Sequence, residues 1–554
     1  MGNIQKKHQL DEHLNAGLSY KKSHQFNLAV ENFQRALILA KELKDGEKES
    51  KGNIQLGDAH RLNNQIERAM EYYEKAMEIA KERGYKHEET SAYLGLGKAH
   101  ILNNQIQEAT KYYEQAMGIA KERKDQAQET TAYLELGNAY RLNKRFQTAI
   151  KYYEQALEIA KERKDQAQET TAYLGLGEAY SLNKRFQTAI KYYEQALEIA
   201  KERKDQDQEI MAYLGLGNDC RLNNQFQTSI KYYEQALDIA KERKDQHQET
   251  TAYLGLGDAC RLNNQFQTAI KYYEQALEIA KQRKDQDQET TAHLKLGKAY
   301  RLNNQFQTAI KYYEQTLEIA KERKDQDQET TAYLNLGKAY RLNNQFQGAI
   351  KYYEEALEIA KERKDQAEET TAYLNLGKAY RLNNQFQGAI KYYEEALEIA
   401  KERKDQGEET TAYLNLGKAY RLNNQFQTAI NYYEQALQIA KERKDQDQET
   451  TAYLGLGDAC RLNNQFQTAI KYYKQALRIA KERKDQDQET TAYLKLGLVY
   501  KSNNQFQTAI KCYEQALKIA KKLKNKHKEN IARYEIEELS RIAGMFRHLN
   551  VLVG

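Results

Sequence analysis

Residues 371–410 read TAYLNLGKAYRLNNQFQGAIKYYEEALEIAKERKDQGEET, and residues 331–370 differ from them only in Ala367 against Gly407. The pattern returns every forty residues. Thirteen units start at Asp11, Lys51, Ser91, Thr131, Thr171, Met211, Thr251, Thr291, Thr331, Thr371, Thr411, Thr451 and Thr491, with no insertion or deletion, and end at Asn530. A fixed period of this length marks a solenoid, in which each unit buries its apolar face against its neighbours.

Within 371–410 the apolar residues fall on two helical stripes. Tyr373, Leu374, Leu376, Ala379, Tyr380 and Leu382 form the first. Phe386, Ala389, Ile390, Tyr393, Ala396, Leu397, Ile399 and Ala400 form the second, which runs on through Lys401-Glu402-Arg403. Asn383-Asn384 separates them. Asn tolerates the left-handed conformation at a helix end, and Asn384 with Gln387 also has capping-box spacing. Asp405, with Glu408 three residues on, is the expected cap of the next first helix. Gly377 lies inside a helix, where it costs roughly 1 kcal/mol against Ala. Close approach of the partner helix is the expected return.

The spacing of Tyr373, Leu376-Gly377, Tyr380, Ala389, Tyr393 and Ala396 resembles the tetratricopeptide repeat, with Tyr where that repeat usually has Trp. The resemblance covers residues 11–530 and recurs in every unit. It implies an all-α solenoid, a right-handed superhelix of helix-turn-helix repeats. The usual proline after the second helix is missing, and the chain has no proline at all. A longer second helix is the expected consequence, giving forty residues per unit instead of the usual thirty-four. The longer unit is similar to the repeats of the Pins/LGN G-protein-signalling modulators and of tetratricopeptide repeat protein 28-like proteins. Those relatives are adaptors that hold peptide segments of other proteins in a groove. The signalling modulators carry G-protein-binding motifs after their repeats; residues 531–554 show none, so that activity does not transfer.

Composition agrees with an amphipathic helical array: 40% of the 554 residues are hydrophobic and 30% charged. The net charge of +6 is small for this length and does not itself argue for nucleic acid. No apolar run has the length of a membrane-spanning helix and no signal peptide is present, so a cytoplasmic protein is expected. Cys220, Cys260 and Cys460 occupy the slot of Tyr380, and Cys512 replaces an outer Tyr of its second helix. Neighbouring first helices should lie ~10 Å apart, too far for a disulfide, so reduced thiols are expected. The Met1-Gly2-Asn3 start lacks the Ser or Thr at residue six that myristoylation wants, having Lys6.

Residues 1–10 read as a polar N-terminal extension of the first helix. Units fill 11–530 with no linker or charge block between them. Residues 531–554 read as leaving the register and forming an amphipathic helix through Ile531, Tyr534, Ile536, Leu539, Ile542, Ala543, Phe546 and Leu549. This helix is expected to cap the last unit, covering Leu498 and Val499, which are apolar where inner units carry a charged or polar residue followed by Ala.

No catalytic constellation is present. The ten histidines make no HExxH pair, and there is no Cys-x-x-Cys, P-loop, GxGxxG or GxSxG. An enzyme, a cofactor and a metal site are therefore not expected. His60 and His100 fill the Tyr380 slot as core substitutes. Asp219 stands where nearly every other unit has Ala, on the packed side of its helix; it must reach a donor or solvent at the helix edge, or cost local stability.

Variation between units is the remaining signal. Two slots of the first helix change where others repeat, and they lie three apart, on one face. The fifth slot includes Gly175, Gly255, Lys295, Asn335, Asn375, Asn415 and Gly455; the eighth includes Asp258, Lys298, Lys338, Lys378, Lys418, Asp458 and Leu498. The eleventh slot, mostly Arg, continues that face. The resemblance implies that first helices line a concave groove, so these side chains would point into it. Units 291–450 then carry a basic block of Lys298, Arg301, Lys338, Arg341, Lys378, Arg381, Lys418 and Arg421, with Asn335, Asn375 and Asn415 beside it. Asn can donate to and accept from a peptide backbone, and Arg can hold carboxylates in a bidentate fork.

The leading expectation is a non-enzymatic scaffold whose groove binds an extended, acidic segment of a partner protein. A structural spacer or self-associating rod is the alternative, since near-identical units could follow recent duplication. Single-stranded nucleic acid is disfavoured because the tyrosines fit buried slots instead of a stacking surface.

Overall fold

A computed structural model describes residues 2–553, with side chains described over 3–542. Among these residues there are twenty-seven α-helices, numbered α1 to α27 in chain order, and no strand. Odd-numbered helices are the first of each unit and even-numbered ones the second, with α27 (Lys526–Val553) last. By contacts the chain forms two compact units, Met1–Ala292 and His293–Gly554.

The quoted stretch shows how the pattern becomes structure. α19 (Gln366–Leu382) and α20 (Phe386–Glu402) are each 17 residues long. The missing proline therefore does not lengthen the second helix alone. Three residues separate α20 from the following helix, α21 (Gln406–Leu422). The extra residues are shared between both helices of the pair.

Two different signals start the helices. Asp405 caps α21, accepting from the backbone N–H of Gly407 and Glu408 at 3.0 Å each. The return half of the capping box is not made. The Asp405 N–H already bonds the Ala400 carbonyl at 2.9 Å, and the Glu408 carboxylate takes the Arg403 guanidinium. The capping box expected from Asn384 and Gln387 does not form either. α20 is preceded by Gln385, which makes no side-chain cap, while Asn384 is left-handed with φ 58°. Asn384 closes the previous helix instead. Its N–H bonds the Arg381 carbonyl, and the Gln385 N–H reaches back to Tyr380, which is a Schellman ending. The other turn repeats this geometry with Lys404 at φ 54°.

The core lies between paired helices and between units. Tyr393 is fully buried, and a Cβ on Gly377 would stand 2.5 Å from its ring. The glycine thus admits the inner tyrosine of its own second helix, the close approach expected of it. The other tyrosines pack beside it: Tyr373 lies 6.0 Å from Tyr392, and Tyr380 lies 5.1 Å from Tyr392 on its other side. His60 and His100 stack on Tyr72 and Tyr112 in the same way. Cys220, Cys260 and Cys460 are buried free thiols, and burial pushes each up to about 11.

The N-terminal residues extend the first helix, and the C-terminal end differs from expectation. α1 (Gly2–Lys22) is continuous, and Leu10 is fully buried in it, so residues 2–10 belong to the first helix. α27 begins at Lys526, and its described part keeps the repeat register. Ala532, Ile536 and Leu539 fall where Ala492, Leu496 and Val499 stand forty residues earlier. Ala532 and Leu539 are fully buried, and Leu539 packs with Tyr513 and Ala509 of α26 (Phe506–Lys522). Lys501 bonds Glu535 and Glu538 across this contact. The expected patch is split. Val499 is buried with preceding units, whereas Leu498 lines an open recess with Leu494 and Ile531. The side chains of Ala543, Phe546 and Leu549 lie outside the described residues. No helix among the described residues is long and apolar enough to cross a membrane.

Candidate functional site

First helices such as α19 and α21 pack on the second helix of their own unit and of the unit before. In the second compact unit, first helices also touch one another in succession: α19 meets α21, which meets α23 (Gln446–Leu462). They form one layer, and the fifth, eighth and eleventh slots share one face of each first helix, beside the hydroxyl ends of the inner tyrosines. The basic block of the sequence is thereby assembled from helices that follow one another.

Lys338, Lys378 and Lys418 are exposed. Each is held below the ordinary lysine range, first by partial desolvation and then by its basic neighbours. Lys338 is lowered by Arg301 and Arg341 together with Lys298. Lys378 is lowered by Arg341, Arg381, Lys418 and Lys338. Lys418 is lowered by Arg381 and Arg421 and partly compensated by Asp458. The cations of four successive units thus act on one another.

The arginines lie deeper. Arg301, Arg341 and Arg381 are nearly buried, and Arg421 is half-buried. Their stems pack beside the inner tyrosines. Burial raises the Tyr393 hydroxyl, and Arg381 opposes that rise. The Arg341 and Arg381 guanidinium groups lie against the Tyr353 and Tyr393 hydroxyls, whose own protons find no acceptor. The neighbouring unit solves the same problem differently. Asp458 stands where Lys418 stands, accepts the Tyr473 hydroxyl at 2.7 Å and pairs with Lys495 at 2.9 Å.

Asn335, Asn375 and Asn415 sit beside the lysines. Each donates its side-chain amide to the carbonyl four residues back, Thr331, Thr371 and Thr411, at 2.9 Å. One amide hydrogen of each is committed to its own helix, leaving the carbonyl oxygen and a second N–H for other contacts.

Asp219 reaches a donor, as its place required. It is fully buried, accepts from Ser181 Oγ at 2.5 Å, and has a second oxygen without a partner. Asp219 stands out from its slot in the sequence. Ser181 does not, being an ordinary helix residue that gains meaning only against a residue 38 positions away. The inner-tyrosine hydroxyls are equally silent there, because they belong to a slot that never varies in charge. Among the described residues no group of three or more His, Cys, Asp or Glu could hold a metal ion.

A stack of two-helix units presenting a polar face of first helices defines the class: a helical-repeat interaction scaffold. The tetratricopeptide repeat matches at residues 10–82, 52–122, 128–202, 208–282, 287–362, 368–442, 408–482 and 447–522, and the chain belongs to that family. Comparison with curated proteins gives no match. Among solved structures, the apo form of RapI is 17% identical, covering 64% of this chain and 98% of its own, with a TM-score of 0.47. The apo form of the quorum sensor NprR from B. thuringiensis is 19% identical over 65% of this chain and 99% of its own, with a TM-score of 0.43. A putative kinesin light chain of Podosopora anserina with nearly identical TPR-like repeats is 23% identical over 35% and 95%, with a TM-score of 0.32.

Proposed function

We propose that the chain is a non-enzymatic adaptor whose first-helix face at 291–450 binds an extended, acidic segment of a partner protein. The observation that carries this reading is the pair of buried hydroxyls beneath the exposed lysines, Tyr353 and Tyr393, whose protons have no acceptor. Buried polar groups are normally paired. Where the chain supplies its own carboxylate, Asp458, the corresponding hydroxyl bonds it. A partner's carboxylate drawn between Lys378 and Arg381 brings the missing acceptor.

Neighbouring first helices lie ~10 Å apart, and an extended chain advances ~3.3 Å per residue. One unit therefore meets about every third residue of the bound segment, with the asparagines against its backbone. The test is fluorescence anisotropy with a labelled peptide carrying Glu at every third position. Wild type should bind it saturably, and the triple variant Lys338→Glu, Lys378→Glu, Lys418→Glu should bind at least tenfold more weakly with unchanged helicity. Equal affinity of the two proteins would remove the basic block as the site. Binding of single-stranded RNA in preference, or of neither probe, would replace this reading with the nucleic-acid or spacer one.

A further inference from the structure

The first compact unit holds a recess of 620 Å³ between residues 131 and 250, walled by Glu135, Glu178, Ser181, Tyr193 and Met211 among others. A shorter side chain helps to open it. Ser181 occupies the slot that holds Arg141, Arg221 and Arg261 in nearby units. There each guanidinium is held by an acceptor three residues back. Arg141 Nη2 donates to Asn138 Oδ1 at 2.6 Å, Arg221 Nη2 to Asn218 Oδ1 at 2.6 Å, and Arg261 Nη2 to Asp258 Oδ1 at 3.3 Å. Arg141, Arg221 and Arg261 also moderate the hydroxyls of Tyr153, Tyr233 and Tyr273, the inner tyrosines of their units.

Unit 171–210 lacks its own guanidinium, and Arg141 of the preceding unit reaches the recess from one side, donating to Glu178 at 2.7 Å. The acceptor three residues back is Glu178, and the inner tyrosine is Tyr193. Behind Ser181 lies an additional carboxylate. Asp219 is fully buried, takes the Ser181 hydroxyl at 2.5 Å on one oxygen, and has no partner on the other. Glu135 and Glu178 are paired, with Lys98 at 3.1 Å and Arg141 at 2.7 Å. No basic side chain bonds Asp219. Met211 and Leu182, 52% and 47% exposed, offer apolar surface at the recess. A charged head bedded among carboxylates, with its methylene stem on apolar side chains, is the way long cationic residues are accommodated.

We propose that this recess receives the guanidinium of an arginine side chain carried by a partner protein, in the place that Arg141, Arg221 and Arg261 fill in their own units. The chain's own repeats are the template for the ligand. A planar fork suits the Glu178 carboxylate and the tyrosine ring better than the compact charge of lysine. The site is separate from the basic block and opposite to it in polarity, so it does not depend on acidic-segment binding.

The test uses the full chain and the pentapeptide acetyl-Gly-Gly-Arg-Gly-Gly-amide, followed by calorimetry and ligand-observed NMR. Wild type should bind it saturably, and the citrulline analogue at least tenfold more weakly. Ser181→Arg restores the residue of the nearby units, so it should fold with an unchanged or higher melting temperature and lose the peptide by at least tenfold. Glu178→Gln should weaken binding without filling the space. The triple lysine variant should bind like wild type. The proposal is overturned if wild type shows no saturable binding, if citrulline binds as well as arginine, or if Ser181→Arg keeps full affinity.

Discussion

A methyl group at position 377 has no room. Its carbon would lie 2.5 Å from the Tyr393 ring, which is fully buried and cannot swing away. Ala gains about 1 kcal/mol of helix propensity, but overpacking costs about 1–3 kcal/mol. Gly377→Ala should therefore lower stability, read as faster amide exchange in α19 and α20 than in distant units. Asp219 should behave in the opposite sense. Burial pushes its carboxyl up to about 6, against the Ser181 bond and the Arg221 charge, and Tyr193, Cys220 and Tyr233 feel it in turn. The folded state then holds a proton that the unfolded chain, with a carboxyl pKa near ~3.9, has released. Its cost is absent below the unfolded value, grows as pH rises from ~3.9, and is complete above about 6. Asp219→Ala should raise the melting temperature at pH 8 and give little gain at pH 4. An equal gain at both would remove the carboxylate charge as the cause. Gly377 was legible because a helical glycine repeated in every unit demands a packing reason. Asp219 was legible as a misfit, but its answer, Ser181, was not.

At the level of elements, the turns were half readable. Asp405 and its equivalents announce the first helices. Lysine at the end of the second helix announces nothing, since left-handed lysine is not a sequence preference, yet Lys404 and its counterparts all adopt it. An L side chain there costs about 1–2 kcal/mol, and Gly84 at φ 73° shows the relaxed alternative within this chain. Lys404→Gly should stabilise by about 0.5–1 kcal/mol, after the entropy that glycine adds to the unfolded chain, measured as a higher denaturant midpoint. The last helix was recognised by its apolar stripe. It starts five residues before Ile531, because the capping Asp is Asn525 here and the charged run before Ile531 hides the register. Deleting 526–554 uncovers Tyr513 and leaves Lys501 without Glu535 and Glu538. The deletion should lower the melting temperature, and an unchanged curve would mean that α27 adds no support.

For the molecule as a whole, the fold was legible almost completely and the site only in outline. Period, helix pairing and family follow from residues that never change. The site rests on those that do, and their meaning depends on neighbours forty residues away. Exposed ion pairs are worth only ~0.2–1 kcal/mol each, so acidic-segment binding must draw on several units in series and weaken as salt rises. Raising ionic strength from 50 to 500 mM should reduce affinity for the Glu peptide several-fold, while reversing one lysine, Lys378→Glu, should cost less than reversing all three.

The same repetition bears on how the chain finds its structure. α18 (Phe346–Glu362) and α20 have identical sequences, so α21 fits either of them equally well. A refolding chain that docks α21 on α18 makes a correct interface and leaves forty residues looped out. Because closing a longer loop costs only logarithmically more, that slipped arrangement lacks the burial of one unit and is otherwise unpenalised. The molecule thus carries little information about which copy is which, and its order is set by the burial that a slipped arrangement forgoes and regains on reopening.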